Sequence, residues 1–246
     1  MSLISALVLG IIQGLTEFLP VSSSGHLVLA QNLLPGFDQP GVLFDVILHA
    51  GTLLAIVIYF WKTLLGLSKN YLVLLAVGSI PAAVVGYLFS NFVEGLFGSV
   101  KVVGVALLVT AAMNFITDMV KEREGKKVKV WDALVVGFAQ AIAIIPGLSR
   151  SGSTIFAATS RGIERQKAAE FSFLLSVPAV LGANLLQFSK YGGDSFGWSL
   201  YAVGFLAALV FGLLSIKLTL SFLQAKNFKI FGAYCLMVGL VAIFLG

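Results

Sequence analysis

Charge is scarce in this chain of 246 residues: 11% are Asp, Glu, Lys or Arg, while 59% are hydrophobic. Long apolar runs with so little charge exclude an ordinary water-soluble domain and indicate membrane spans. Cysteine is nearly absent. Cys235 stands alone in an apolar run, so it cannot form an internal disulfide and has no partner for a metal site. A clustered basic face is missing too. The 16 Lys and Arg exceed the 11 Asp and Glu, for a net charge of +5, but they are spread over loops. That distribution excludes a nucleic-acid surface and points to membrane orientation. No basic stretch precedes the apolar residues 3–19, and Gln13 and Glu17 interrupt them, so they are not expected to be a signal peptide.

The apolar runs fall into two series. Residues 3–19 predict a helix ending at Pro20. Val21-Ser22-Ser23-Ser24-Gly25 is a polar break, and 26–34 is a short second piece before Pro35-Gly36. Each piece is shorter than the roughly 20 residues a crossing needs, so the pair predicts a re-entrant hairpin (3–34) with Ser22 to Ser24 at its tip. Three full spans are expected at 42–60, 71–89 and 100–120. The most charged stretch, 121–129, follows, and then the pattern restarts. Residues 131–145 are apolar up to Pro146. A break rich in Ser and Arg follows, and a short piece at 155–160 ends at Arg161-Gly162. Further spans are expected at 168–188, 198–222 and 228–245.

The two series resemble one another. Gly10 and Gln13 match Gly137 and Gln140, and Phe44 and Leu48 match Phe171 and Leu175, all at one spacing; Pro20 with Ser24-Gly25 matches Pro146 with Ser151-Gly152 after a one-residue shift. The expected fold is an all-α polytopic membrane protein with six transmembrane helices and two re-entrant helical hairpins. Residues 1–120 form the first repeat, 121–130 a basic cytoplasmic linker, and 131–246 the second repeat, with its hairpin at 131–160. Three crossings per half turn the second half upside down, an inverted-topology repeat. If the linker is cytoplasmic, so are Lys62, Lys69, Arg161, Arg165, Lys167, Lys226 and Lys229; Lys101 and Lys190 fall outside. That bias agrees with the positive-inside rule. The hairpin tips would then meet near the midplane.

The chemistry is concentrated at those tips. Gln13 and Glu17 are four apart and share a helix face. A carboxylate in an apolar helix is costly unless it is paired or functional. Glu17 could ligate a divalent cation, act as a base, or pair with Arg150. Ser22, Ser23 and Ser24 offer a nucleophile or phosphate hydrogen bonds, and His26 a base or a nucleophile in its own right. At the second tip, Pro146-Gly147 is followed by Ser149, Arg150, Ser151, Ser153 and Thr154. A guanidinium among hydroxyls and backbone N–H groups makes a phosphate cradle. Other polar groups have plainer explanations. His49 and its repeat mate Ser176 suit helix packing or a cavity lining, and Asp45 and Glu170 suit helix N-termini. Asn114, Gln140 and Asn184 suit interhelical hydrogen bonds, and Gly78, Gly86, Gly104, Gly204 and Gly212 close helix packing.

At the motifs Gln13-Gly14-Leu15-Thr16-Glu17-Phe18-Leu19-Pro20-Val21-Ser22-Ser23-Ser24-Gly25-His26 and Pro146-Gly147-Leu148-Ser149-Arg150-Ser151-Gly152-Ser153-Thr154, the sequence resembles the bacterial undecaprenyl-diphosphate phosphatase family, the integral-membrane, bacitracin-resistance type. The resemblance covers essentially the whole chain. It implies hydrolysis of undecaprenyl diphosphate to the monophosphate and inorganic phosphate at the bacterial plasma membrane, with the site toward the extracytoplasmic face. It also implies a divalent cation, Mg²⁺ or Ca²⁺, held by Glu17. Catalysis would rest on Glu17, Ser23, His26 and Arg150. Gln13, Ser22, Ser24, Ser149, Ser151 and Thr154 would bind substrate. Gln13 stands where the family often has glutamate, which removes one anionic metal ligand. The expected partners are the polyprenyl diphosphate and the bilayer, with a homodimer open. On these residues a polyprenyl-phosphate transporter or flippase is the competing reading, because every group named could bind rather than cleave.

Overall fold

A computed structural model describes residues 1–33, 42–123, 125–189 and 197–246. The expected break at Pro35-Gly36, Glu124 of the linker and the external Lys190 lie outside the described residues. Twelve helices are seen among the described residues, in the order α1 (Leu3–Phe18), α2 (Ser23–Leu33), α3 (Val42–Tyr59), α4 (Trp61–Leu65), α5 (Lys69–Leu88), α6 (Ser90–Leu96), α7 (Val100–Met119), α8 (Val130–Ile142), α9 (Arg150–Ser160), α10 (Arg165–Ser189), α11 (Trp198–Gln224) and α12 (Lys229–Leu245). No strand occurs among them. Helices α5, α7, α10 and α11 are long and apolar enough to cross a membrane. The chain is an all-α, multi-pass membrane protein.

Its outside is apolar and much of its inside is polar. Trp198 is 85% exposed and Phe244 87%, whereas Gln13, Thr110, Asn114 and Thr154 are fully buried. In water that arrangement would be unfavourable; in lipid the exposed side chains meet hydrocarbon. An aromatic cluster fills the centre, with Phe18 edge-on to Phe173 at 5.5 Å between centroids.

The helix starts differ from the expected ones at both tips. Helix α2 begins at Ser23 and α9 at Arg150, so the serines and the arginine occupy first turns rather than loops. Ser149 explains the second case. Its Oγ accepts from the Gly152 N–H at 3.0 Å, an N-cap that starts a helix at the next residue. The short helices α4 and α6, at the ends of spans, were not expected.

Helix α1 packs along α11 and α8 along α5, so each hairpin lies against a long helix of the other half of the chain. Glycine permits both crossings. A Cβ on Gly10 would lie 2.5 Å from the Gly204 carbonyl oxygen, and one on Gly137 would lie 2.3 Å from that of Gly78. Lipid gives little hydrophobic drive for helices to associate, so backbone contact this close is how they gain packing energy.

The linker is tied to the second hairpin. Arg123 N–H donates to the Gly162 carbonyl at 3.0 Å, and Gly125 N–H donates to Glu164 at 2.7 Å. Arg165 pairs with Glu122 and caps the carbonyls of Thr117, Asp118 and Val120 at the end of α7. Asp132, in the first turn of α8, accepts from Arg161 at 2.8 Å and faces Lys126 at 3.5 Å. Burial works against its ionisation. The Arg161 hydrogen bond, the Lys129 N–H and the Lys126 charge outweigh it and hold the carboxyl below the usual aspartate range.

Gly137 provides the test of the crossing. Gly137→Ala forces α8 and α5 apart and should cost about 1–3 kcal/mol, as overpacking does. Gly182→Ala, in α10 with nothing within 4 Å of the added Cβ, should be neutral or gain about 0.5–1 kcal/mol from helix propensity. Thermal unfolding in one detergent compares the two; equal melting temperatures would refute the close-packing account.

Candidate active site

The first tip is a tight turn between α1 and α2. Ser22 takes φ +71°, a left-handed conformation that serine adopts only where its surroundings enforce it. The enforcement is visible. Ser22 Oγ accepts from the Gly25 N–H at 3.3 Å, and its carbonyl accepts from the His26 ring nitrogen Nδ1 at 2.8 Å. Asn114 of α7 donates to the Pro20 carbonyl at 2.6 Å.

The second tip is held by the same helix. Thr110 of α7 donates to the Gly147 carbonyl and accepts from the Ser149 N–H, both at 3.0 Å. Gly147 takes φ +93°, and a Cβ there would lie 2.4 Å from the Val103 carbonyl oxygen. Only glycine satisfies both conditions. The tips then touch. Ser151 Oγ donates to the Leu19 carbonyl at 3.1 Å, and a Cβ on Gly25 would lie 3.0 Å from Gly147 Cα.

Glu17 stands at the junction. Its Oε1 accepts from Arg150 Nη2 at 2.5 Å. Its Oε2 accepts from Ser23 Oγ at 2.7 Å and from Gln13 Nε2 at 2.9 Å. His49 Nε2 lies 4.0 Å from the same oxygen. The Glu17 and Arg150 side chains are 6% and 17% exposed, so the pair forms in a low-dielectric surrounding, where an unpaired charge is expensive. Arg150 Nη1 and Gln13 Oε1 are buried without a hydrogen-bond partner. A guanidinium donor left free beside a carboxylate-bound hydroxyl is arranged to receive an anionic oxygen.

Most of the residues singled out from the sequence fall into two groups, with Ser24 and His26 apart. Gln13, Glu17, Ser23 and Arg150 form one hydrogen-bonded set. Ser22, Ser149, Ser151 and Thr154 direct their hydroxyls to the tips' own frame; Thr154 shares a 2.6 Å hydrogen bond with Ser172. Ser24 lines a cleft of about 440 Å³ together with Gln31, Asn32, Asp45, His49, Phe97 and Gln187. His26 is engaged at both nitrogens: Nδ1 with Ser22, and Nε2 with the Tyr234 hydroxyl at 2.8 Å. Its ring stacks on Tyr234, centroids 5.5 Å apart.

Sequence reasoning passed over Tyr234 and Thr110 entirely; His49, read as helix packing or a cavity lining, does line the cleft and also approaches Glu17. An imidazole in mid-span was the available signal for His49; an aromatic in an apolar run gave none for Tyr234. Asn184 makes the expected kind of interhelical bond, to the Val46 carbonyl at 3.4 Å. Gln140 does not: neither atom of its buried amide has a hydrogen-bond partner.

The sequence matches the family described as bacitracin resistance protein BacA over residues 6–241. The chain belongs to that family. Among curated relatives, undecaprenyl-diphosphatase of Syntrophotalea carbinolica is 42% identical over 255 residues, covering 97% of each chain. Undecaprenyl-diphosphatase of Halothermothrix orenii is 41% identical, covering 100% of this chain and 98% of its own. That of Methanosphaera stadtmanae is 38% identical, with 100% and 98% covered.

The buried pair makes a stability prediction. Glu17→Ala leaves the Arg150 guanidinium uncompensated and should cost about 3–5 kcal/mol, as breaking a buried pair does. Adding Arg150→Ala should recover part of that loss. Chemical denaturation of the single and double variants closes the cycle; strictly additive losses would mean the two side chains are uncoupled.

Proposed function

We propose that this BacA-family protein is a membrane phosphatase. It hydrolyses undecaprenyl diphosphate to undecaprenyl phosphate and inorganic phosphate, recycles the carrier lipid for cell-wall synthesis and confers bacitracin resistance. The observation that carries the reading is the 2.7 Å hydrogen bond from Ser23 Oγ to Glu17 Oε2. A transporter needs the arginine and the donors but has no use for a hydroxyl held against a base. The named relatives, undecaprenyl-diphosphatases at about 40% identity along the full chain, support the same reading.

In the proposed mechanism, Ser23 Oγ attacks the terminal phosphorus as its proton passes to Glu17 Oε2. The bond from that phosphorus to the bridging oxygen breaks, and the lipid monophosphate leaves. Arg150 divides its guanidinium: Nη2 fixes Glu17, and the free Nη1 meets the non-bridging oxygens and stabilises the charge that develops on them. Water then attacks the phosphoserine, the Ser–O–P bond breaks, and the proton on Glu17 returns to Ser23 Oγ. Since both His26 nitrogens are engaged elsewhere, Glu17 rather than His26 is the base for Ser23.

A divalent cation fits this donor set only together with substrate. Among the described residues no three His, Cys, Asp or Glu side chains converge on one point. Glu17 and the unpartnered Gln13 Oε1 offer hard oxygens, and the diphosphate would complete the coordination. When bound, Mg²⁺ or Ca²⁺ would neutralise phosphate charge. Gln13, in place of an acid, would serve as a neutral oxygen ligand.

Lengths and charges support a finer topology. Helices α1, α2, α8 and α9, of 16, 11, 13 and 11 residues, are shorter than a crossing of roughly 20 residues. We take them as two re-entrant hairpins because each pair meets at a polar tip, and α5, α7, α10 and α11, with the shorter apolar α3 and α12, as six spans. Helix α9 starts 127 residues after α2, and α8 starts 127 after α1, which supports the inverted repeat. The polar cleft is bordered by the end of α2 and the turn before α7, away from the basic linker. With the linker cytoplasmic, the site opens to the extracytoplasmic face of the plasma membrane.

The test is phosphate release from undecaprenyl diphosphate in detergent, with Mg²⁺ or Ca²⁺ and with chelator. Ser23→Ala and Glu17→Gln should each lose ~10²-fold or more in kcat. Arg150→Lys, which keeps the charge but loses the fork, should lose ~10²–10³-fold. Chelator should abolish release. Full activity of Ser23→Ala would overturn the serine mechanism, and no release by folded wild type would overturn the phosphatase.

A further inference from the structure

Helix α12 packs along α7, and α2 touches α7 and α1, but α2 and α12 do not pack along one another. What bridges them is a pair of side chains, the stacked and hydrogen-bonded rings of His26 and Tyr234. The two residues of α12 that begin this stretch face different ways. Cys235 is buried, with its sulfur 3.7 Å from the Pro20 carbonyl of the first tip. Tyr234 is 39% exposed, on the side of α12 that carries Met237, Leu240 and Val241 to the surface. A line from Ser23 through His26 therefore leaves the site sideways, across one phenol ring, onto an apolar helix face.

The substrate has two ends of opposite character, a charged headgroup and a hydrocarbon chain. The cleft beside Ser24 mixes polar Gln31, Asn32, Asp45, His49 and Gln187 with apolar Leu27, Val28 and Phe97. A long hydrocarbon chain there would displace water from an acid, an imidazole and three amides, which costs free energy. The α2–α12 side offers an apolar helix face instead. We propose that the prenyl chain of the substrate runs out of the site between α2 and α12, across Tyr234, whose hydroxyl fixes the His26 ring. This rests on the phosphatase reading. Tyr234 is a positioning residue in this scheme. His26 Nδ1 donates to the Ser22 carbonyl, so in the neutral ring Nε2 is an acceptor, and the Tyr234 hydroxyl donates to it. That bond holds the imidazole parallel to the phenol, so the two rings form one fixed wall along the path of the chain.

The experiment uses the full-length protein in nanodiscs. Undecaprenyl diphosphate bearing a diazirine on its chain is photolysed in the wild type, with unlabelled lipid as competitor, and the adducts are mapped by mass spectrometry. Competed adducts on α2 and α12 are expected; competed adducts confined to other helices overturn the proposal. Kinetics provide a second, independent arm. Met237→Trp, one turn from Tyr234 on the exposed side, should raise KM for undecaprenyl diphosphate by ~10-fold through bulk in the path, and leave geranyl diphosphate unaffected. Tyr234→Phe, which releases the imidazole into the path, should raise KM for undecaprenyl diphosphate ~5-fold, the worth of one hydrogen bond, with KM for geranyl diphosphate unchanged. Equal effects of Met237→Trp on long and short substrates would overturn the chain's path. If wild type releases phosphate from neither lipid while competed adducts still fall on α2 and α12, the chain's seat stands and the phosphatase reading falls.

Discussion

The contact between Glu17 and Arg150 joins residues 133 positions apart in the chain, and the rest of the molecule is arranged so that it can form. Neither charge is tolerable alone at that depth. Their two backbones must therefore be delivered to one place and kept there. Helix α7 does this with two polar side chains: Asn114 holds the Pro20 carbonyl of one tip and Thr110 holds the backbone of the other. Ser151 then ties tip to tip through the Leu19 carbonyl. With the frame fixed this way, the free Arg150 Nη1 and the Ser23 hydroxyl are placed before any ligand arrives. Preorganised donors of this kind are worth most in a site that excludes water.

That frame requires helices to approach more closely than side chains normally permit. Gly10 against Gly204 and Gly137 against Gly78 bring backbone onto backbone. The resulting exchange, α1 on α11 and α8 on α5, locks each short hairpin against a long helix from the other half. Under the proposed topology, a hairpin too short to cross cannot anchor itself in the bilayer by its own length. Its depth is set by what it packs against, so the glycine crossings and the site geometry are one constraint.

Much of this could be read from the chain because its signals are local. Proline, the serine runs and short apolar pieces marked the two tips, and the buried acid and arginine marked their chemistry. Where the reading fell short, local signals had competed. The stretch from Pro146 to Thr154 reads as a break, yet Ser149 caps a helix that starts at Arg150. Ser, Arg and Thr lower apolar periodicity without forbidding a helix, and the cap outweighed the pattern. Tyr234, Thr110 and Ser172 reach the tips only through the packing of distant helices, and a tyrosine or threonine in an apolar run looks the same whether or not it meets a partner. His49 was visible as an odd residue, but its 4.0 Å approach to Glu17 depends on how α3 lies against α1.

The proposed repeat also explains why the halves had to diverge. Shifting α2 onto α9 places Ser23 over Arg150, Ser22 over Ser149 and His26 over Ser153, and it places Glu17 over Ile144. Two identical tips meeting at the midplane would set like against like. Paired carboxylates would repel each other and any phosphate; paired guanidiniums would bind phosphate but offer it no nucleophile and no base. Phosphoryl transfer needs opposite characters on the two sides of one phosphorus, an activated hydroxyl on one and a cationic clamp on the other. The scaffold retains the symmetry because symmetry brings the tips together. The first turns of α2 and α9 have lost it, because the reaction proposed for this site has a direction.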